Sequence, residues 1–481
     1  MPTTGQATLM EALQKTLDAI SSFVWGPWLL IPLLLLTGLW LTIKLRGIQF
    51  RTLGSAMRLA LWERKDDDAE GGDISQFQAL TTALAATVGV GNIVGVATAI
   101  SVGGPGALFW MWVTGLVGMA SKYSEAFLAV RFRTVDSKGN VSGGPQYYLK
   151  KALPGKWGVA LSVFFAVFAV LASFGIGNMT QANAVAENVH DAFGVPQHIS
   201  AIVMVVFVGL VILGGIKAIG NVTAALVPIM IVFYVLGALY ILIVNITDVP
   251  GALALVFGQA FTGQAAVGGA IGGFLIALQM GVARGIFSNE SGMGSAAIAA
   301  AAAQTTHPVR QGLVSMTQTF IDTLIVVSCT GLVLVTTGVW NSGESPAVLT
   351  SMAFSHGLPG QWGGYIIAIG VILFAFSTIL GWSYYGDRCV ERLFGAGATL
   401  WYRIVFTIVV YIGATIPLGI VWSFADIMNG LMALPNLIGL LVLSGLIARE
   451  TAHYLKNDPK LRANKARVDE FMADQPATSD R

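Results

Sequence analysis

The sequence predicts an all-α polytopic membrane protein. Eleven transmembrane helices are expected, one N-terminal helix and then a 5+5 inverted repeat in which the first helix of each half is broken. Three observations carry this. Of 481 residues, 55% are hydrophobic and only 11% charged, with a mean hydropathy of +0.73, which excludes a soluble globular chain and a disordered one. The apolar residues come in blocks that can span as helices, for which about 20 residues suffice, and not in the alternating ten-residue segments of an outer-membrane barrel. The basic residues gather in every second segment between those blocks.

Residues 1–22 lack the basic start of a cleavable signal and carry Leu9, Leu13, Leu17 and Ile20 at helical spacing, which predicts an interfacial helix. Spans are then expected near 23–44, 78–101, 105–130, 157–186, 199–216, 223–245, 264–303, 311–337, 362–386, 401–421 and 426–448. The seventh is too long for one straight helix. Of 27 Lys and Arg, 24 fall in alternate segments: six in 44–76, six in 131–156, Lys217, Arg310, three in 388–403 and seven in the tail. One missed or invented span would scramble that alternation. By the positive-inside rule it sets the N-terminus outside and the C-terminus in the cytoplasm of a plasma (inner) membrane. The chain divides as 1–76, with the first span; a core of ten helices over 77–448, with repeat one at 77–250 and repeat two at 251–448; and a tail, 449–481. The tail is polar and charged, and is expected to be solvated without a core. Cys329 and Cys389 form no disulfide framework and no metal pattern. The net charge of +2 gives no reason to expect nucleic acid, since the basic residues belong to loops. Beyond the lipid bilayer no protein partner is called for.

The two halves have opposite topology, and the leading helix of each is interrupted. In the first the interruption is Gly89-Val90-Gly91-Asn92; in the second it is Phe287-Ser288-Asn289-Glu290-Ser291-Gly292. A break at bilayer depth exposes N–H and C=O groups that lipid cannot satisfy, so it survives only where protein, water or ligand supplies partners. Gly-interrupted spans at corresponding places in inverted halves mark a transporter's substrate site.

Other polar residues at bilayer depth are candidates on the same ground. Glu290 is expected to form a structural ion pair with Arg284 or another buried cation, or else to receive a proton. Asp322 is expected to be a satisfied structural carboxylate. Lys122 and Glu125 stand one turn apart and can pair, as a gate or anchor. Phe174, Asn178 and Gln181 share one helix face, and Gln181 meets either a neighbouring helix or a ligand. The hydroxyls of Ser377 and Thr378 bond back to their own helix or, with carbonyls from a nearby break, suit a bare Na⁺. No G-x-S-x-G, H-E-x-x-H or Walker A motif is present, so neither an enzyme nor an ATP-driven pump is expected. A channel stands as the rival to a transporter, since broken helices also line pores.

The runs TALAATVGVGNIVGVATAISVGGPGALFWMWV (82–113), GNVSGGPQYYL (139–149), FSNESGMGSAAIAAAAAQTTHPVRQGLVSMTQTFIDT (287–323) and FAFSTILGWSYYGDR (374–388) resemble the alanine/glycine:cation symporters. The resemblance covers nearly all of residues 20–450. It implies a LeuT-type architecture and uptake of small neutral amino acids, chiefly alanine and glycine, coupled to Na⁺ or, in some members, H⁺. Carried onto this sequence, it implies that the break at Gly89, Val90, Gly91 and Asn92 binds substrate, the carboxylate being received by the backbone N–H groups of Val90, Gly91 and Asn92 with help from the positive end of the following half-helix. Ser288 and Asn289 would receive the ammonium group, with Gln181 and Phe174 closing the pocket. The architecture further implies a Na⁺ site of the Ala86 and Gly89 carbonyls with the Ser377 and Thr378 hydroxyls. One departure is Val90, where the family pattern has threonine; the backbone contact does not need that hydroxyl.

Overall fold

The computed structural model describes residues 4–64, 66, 68–69, 71–262, 269–358, 360, 362–416 and 419–473. Residues 264–268 of the expected seventh span, 417–418 of the tenth and the last eight residues of the tail lie outside those described. Among the described residues the regular structure is helical apart from one small antiparallel hairpin, Thr134–Val135 with Val141–Ser142.

The chain opens with α1 (Thr4–Val24), which ends just before Gly26 and Pro27, and the first span follows as α2 (Leu30–Lys44). Two short helices, α3 (Ile48–Arg51) and α4 (Leu53–Leu61), lead to α5 (Gln76–Thr87). Ser75 starts α5 with a reciprocal cap: its hydroxyl accepts from the Gln78 N–H at 3.2 Å, and Gln78 Oε1 accepts from the Ser75 N–H at 2.9 Å. Then come α6 (Val94–Gly103), α7 (Gly106–Arg131), α8 (Pro145–Ala152), α9 (Gly155–Phe174), α10 (Thr180–Phe193), α11 (Gln197–Ile212) and α12 (Gly215–Val244). The second half comprises α13 (Val249–Thr262), α14 (Gly269–Asn289), α15 (Ala296–Ala301), α16 (Pro308–Thr319), α17 (Ser328–Thr336), α18 (Pro346–Gly357), α19 (Trp362–Phe394), α20 (Thr399–Thr415), α21 (Gly419–Asn457) and α22 (Lys465–Ala473). Wide π turns join α9 to α10 over Gly175–Met179 and α16 to α17 over Phe320–Val327. Five of the resulting helices are long and apolar enough to cross a membrane, and the bent pair α5–α6 brings a sixth; shorter apolar helices lie at Leu30–Lys44, Gln197–Ile212, Val249–Thr262 and Thr399–Thr415.

Three elements differ from the expectation. Helices α13 and α18 occupy stretches read as loops, because 14 and 12 residues are too few to register as spans. Both brace the core: Trp110 of α7 donates to the Ala260 carbonyl of α13 at 2.8 Å, and Thr350 of α18 donates to the Ile93 carbonyl, beside the first break, at 3.1 Å. The tail is the third. Helix α21 runs on to Asn457, and α22 folds back with Val468 and Phe471 buried. Arg310, in the first turn of α16, binds Asp458 at 3.3 Å, the Ala463 carbonyl at 2.5 Å and the Tyr454 hydroxyl at 2.8 Å. The tail is therefore docked, held by a few apolar residues and one buried guanidinium.

Candidate functional site

The first break lies between α5 and α6, which are bent 61° to each other across a single tight turn, Val90–Asn92. Asn92 closes that turn. Its side-chain oxygen accepts from the Gly89 N–H at 3.0 Å, and its amide donates to Asp322 Oδ1 at 2.7 Å. The Val90 N–H donates to Gln181 Oε1 at 3.3 Å, while the Gln181 amide holds the Ile176 carbonyl at 3.0 Å within the π turn. Such turns recur at functional sites because they release backbone groups from the helical ladder. A Cβ at 89 would collide with Thr378 Oγ1, and one at 91 would lie tightly against the Phe287 ring, 3.0 Å from its Cδ1.

At the second break Glu290 takes a left-handed conformation, φ +54°, a strained choice for a residue with a side chain. Its orphan backbone groups are met by side chains from two other helices. Lys122 Nζ donates to the Glu290 carbonyl at 2.9 Å, and Asn436 Nδ2 donates to the Gly292 carbonyl at 2.8 Å. Glu125 Oε1 accepts from the Gly294 N–H at 3.0 Å and from Asn436 at 2.7 Å, and Ser295 donates to the Glu290 carboxylate at 2.5 Å. Lys122 and Glu125 also form the expected pair, at 3.8 Å. They anchor the break; removing either leaves a buried charge and an unmet backbone group.

Asp322, in the π turn Phe320–Val327, ties the two breaks together. Its carboxylate accepts from Asn92 of the first break at 2.7 Å, from Ser288 of the second at 2.9 Å and from Thr323 at 2.9 Å. Asn289 turns the other way, donating to Thr323 Oγ1 at 3.0 Å. Lys122, Glu125, Glu290 and Asp322 are all buried, so three carboxylates share this interior with one ammonium. Such an excess of negative charge is costly in low dielectric and favours a cation or a proton nearby. On the far side of the first break, Ser377 and Thr378 of α19 both donate to the Ala85 carbonyl, at 3.3 and 3.0 Å.

A cavity of about 520 Å³ stands above the first break. Its walls are Gly91 of the break, Val94, Gly95 and Thr98 of α6, Arg284 and Phe287 of α14, Trp422, Ser423 and Asp426 of α21, and Asp18, Ser21 and Ser22 of α1, with Ser345 and Pro346. Helix α1 forms one of its sides. Phe287 stacks on Trp422 with ring centroids 5.9 Å apart and lies under the Arg284 guanidinium at 5.5 Å.

Gly89, Val90, Gly91, Asn92, Gln181, Ser288 and Asn289 are thus brought together, with Gly91 reaching the cavity. Several of the expected groups are placed as follows. Phe174 faces α20, against Tyr402 and Phe406 at 5.5 and 5.7 Å, because the π turn after it rotates the face it was assigned to share with Gln181. The carbonyl that Ser377 and Thr378 meet is that of Ala85; Ala86 packs against Gly381. The Gly89 carbonyl accepts from the Asn92 N–H at 3.1 Å inside the turn. Arg284 pairs with Asp426 at 3.5 Å, and the buried cation beside Glu290 is Lys122, the other partner the sequence left open. Sequence reasoning missed Phe287, Trp422 and Asp426 as cavity walls. Asp426, a charge within an apolar block four residues from Trp422, was the available signal.

The model of the sodium:alanine symporter family matches residues 10–468 of this chain. The chain is 50% identical over 455 residues to the sodium/alanine symporter AgcS of Methanococcus maripaludis, covering 94% of this chain and 98% of that protein. It is 50% identical over 463 residues to an uncharacterized transporter of Haemophilus influenzae, covering 96% and 99%. Among solved structures, that of MhsT in complex with L-phenylalanine is similar with a TM-score of 0.53 at 16% identity, over 82% of this chain and 93% of that one, a likeness of fold alone. Two facing helix breaks in a LeuT-type helical fold, matched over nearly the whole length, make this a multi-pass membrane transporter and not an enzyme, and the chain belongs to the sodium:alanine symporter family.

Proposed function

We propose that this chain takes up small neutral amino acids, alanine and glycine, by Na⁺-coupled symport with alternating access. The observation that carries the reading is the pair of helix breaks clasped by one carboxylate, Asp322, directly beneath a cavity. The N–H groups of Val90, Gly91 and Asn92, at the positive end of α6, receive the substrate carboxylate. Gln181 already occupies Val90, so substrate competes with or displaces that contact. Ser288 and Asn289 receive the ammonium. Na⁺ sits between the first break and α19, with the Ser377 and Thr378 hydroxyls and the Ala85 carbonyl as hard oxygen donors. The ten helices after α2 that match the expected spans form two inverted sets of five, 77–250 and 251–448, and the cavity side faces outward.

The energetics favour such coupling. One positive charge moving inward gains about 2.3 kcal/mol per 100 mV, whereas a tenfold solute gradient costs about 1.4 kcal/mol. One Na⁺ therefore supports accumulation well beyond tenfold. H⁺ coupling is the second reading, favoured by the excess of buried carboxylate, with Glu290 and Asp322 as proton sites. Alanine uptake into proteoliposomes, with Na⁺ and pH gradients imposed separately, tests both. Uptake that follows Na⁺ at constant pH supports the proposal. Uptake that ignores Na⁺ and follows pH replaces it with the second reading, and conductance without saturation would point to a channel.

A further inference from the structure

We propose that a second, separate cavity binds a phosphate group, with an anionic phospholipid headgroup as its natural source. The cavity measures about 270 Å³ and lies at the end of the molecule opposite α1. Its walls carry four cations, Lys138, Lys217, Arg388 and Arg403, and a single carboxylate, Asp136. Asp136 is already engaged, accepting from the Lys138 and Asn140 N–H groups at 2.8 Å each and facing Arg388 at 3.4 Å. Two long helices also begin at its walls, α12 at Gly215 and α20 at Thr399. Each brings unpaired N–H groups and the positive end of its dipole, which favour an anion.

Arg388 pairs through its terminal nitrogens with Asp387 at 2.9 Å and Glu391 at 2.7 Å, and Arg403 binds Asp387 at 2.9 Å, so the charge left for a ligand comes chiefly from Lys138 and Lys217. Lys217 is exposed on the first turn of α12 and forms no ion pair among the described residues. The surroundings favour a lipid over a free ion. Leu213, between α11 and α12, and Leu400 and Trp401, in the first turn of α20, are exposed and offer an apolar surface for acyl chains, with a tryptophan of the kind that marks a membrane interface. Basic pockets between helices at a membrane interface hold anionic headgroups.

The test uses the purified full-length protein in detergent and its thermal unfolding with added phosphatidylglycerol, phosphatidylcholine or inorganic phosphate. The variants are Lys138→Gln/Lys217→Gln together and Lys217→Gln alone, which breaks no hydrogen bond or ion pair among the described residues and so keeps the test valid if the double variant fails to fold. Phosphatidylglycerol is expected to raise the melting temperature by several degrees more than phosphatidylcholine. The variants, with lipid-free melting like the parent, should lose at least half of that gain. A gain from inorganic phosphate but not from phosphatidylglycerol, lost in the same variants, keeps the site and assigns it a soluble phosphate. No gain from either anion, or a gain undiminished in both variants, overturns the proposal.

Discussion

At the scale of single residues, Asp322 accounts for how two distant stretches of chain become one site. Its two oxygens accept three donors, from Asn92, Ser288 and Thr323. Asp322→Asn keeps the shape but replaces one accepting oxygen with a donating amide, so at least one buried donor loses its partner, at about 1–3 kcal/mol. We expect uptake to fall at least tenfold while the protein still reaches the membrane, measured as initial alanine uptake beside a melting curve; parental uptake would show that the clasp is dispensable. Thr378→Val keeps the shape and removes one oxygen at the proposed Na⁺ site. The Na⁺ concentration for half-maximal uptake should rise on the order of tenfold, equivalent to about 1.4 kcal/mol, with alanine affinity at saturating Na⁺ little changed. Equal Na⁺ dependence in parent and variant would place the cation elsewhere. Asn92, Ser288 and Gln181 were legible in the sequence because polar groups at bilayer depth are conspicuous. The partnership of Asp322 with both breaks was not, because a π turn sets its direction and no periodicity records one. The same blindness misassigned Phe174.

At the scale of elements, the broken helices were readable since Gly89, Gly91 and the polar run 288–291 interrupt otherwise apolar blocks. The docked tail was not. Tyr454, Leu461 and Val468 are spaced seven apart but diluted among charges, and the guanidinium that anchors them belongs to Arg310, far away in sequence. His307, in the turn ahead of α16, belongs to the same assembly. Its ring stacks on Tyr454 at 4.5 Å, and its Nδ1 accepts from the Val309 N–H at 3.2 Å, which requires the neutral form. Burial, then the nearby Arg131 and Arg310, push its pKa down to about 3. The unfolded chain, with an ordinary value of about 6.5, takes up the proton first. The contribution of His307 is therefore complete above about pH 6.5 and is lost as pH falls toward 3, amounting to about 2 kcal/mol by pH 5. His307→Asn keeps a capping side chain without the titration. Melting at pH 8 and pH 5 should show a smaller drop in the variant than in the parent; identical drops would mean that His307 does not govern the acid sensitivity.

At the scale of the whole molecule, the distribution of charge carries the orientation. Because the apolar faces of α2, α11, α12 and α20 are open to lipid, packing does not distinguish one end from the other, whereas the 24 basic residues in alternate segments do. The large cavity lies beside α1 and the phosphate cavity at the opposite end, so the orientation also bears on which compartment supplies substrate. Cysteine accessibility tests it on a quiet background, since Cys329 and Cys389 are both buried. Ser342, in the turn before α18, and Ser137, at the tip of the hairpin, are both exposed. A membrane-impermeant thiol reagent should label Ser342→Cys on intact cells, and Ser137→Cys only after the membrane is opened. Each position flanks a different half of the chain, so the pair also reports the inverted layout: an odd error in the count of spans between residues 137 and 342 would put both on the same side. Labelling of Ser137→Cys from outside would reverse the orientation or change the number of spans before it, and the outward-facing cavity would have to be reassigned with it.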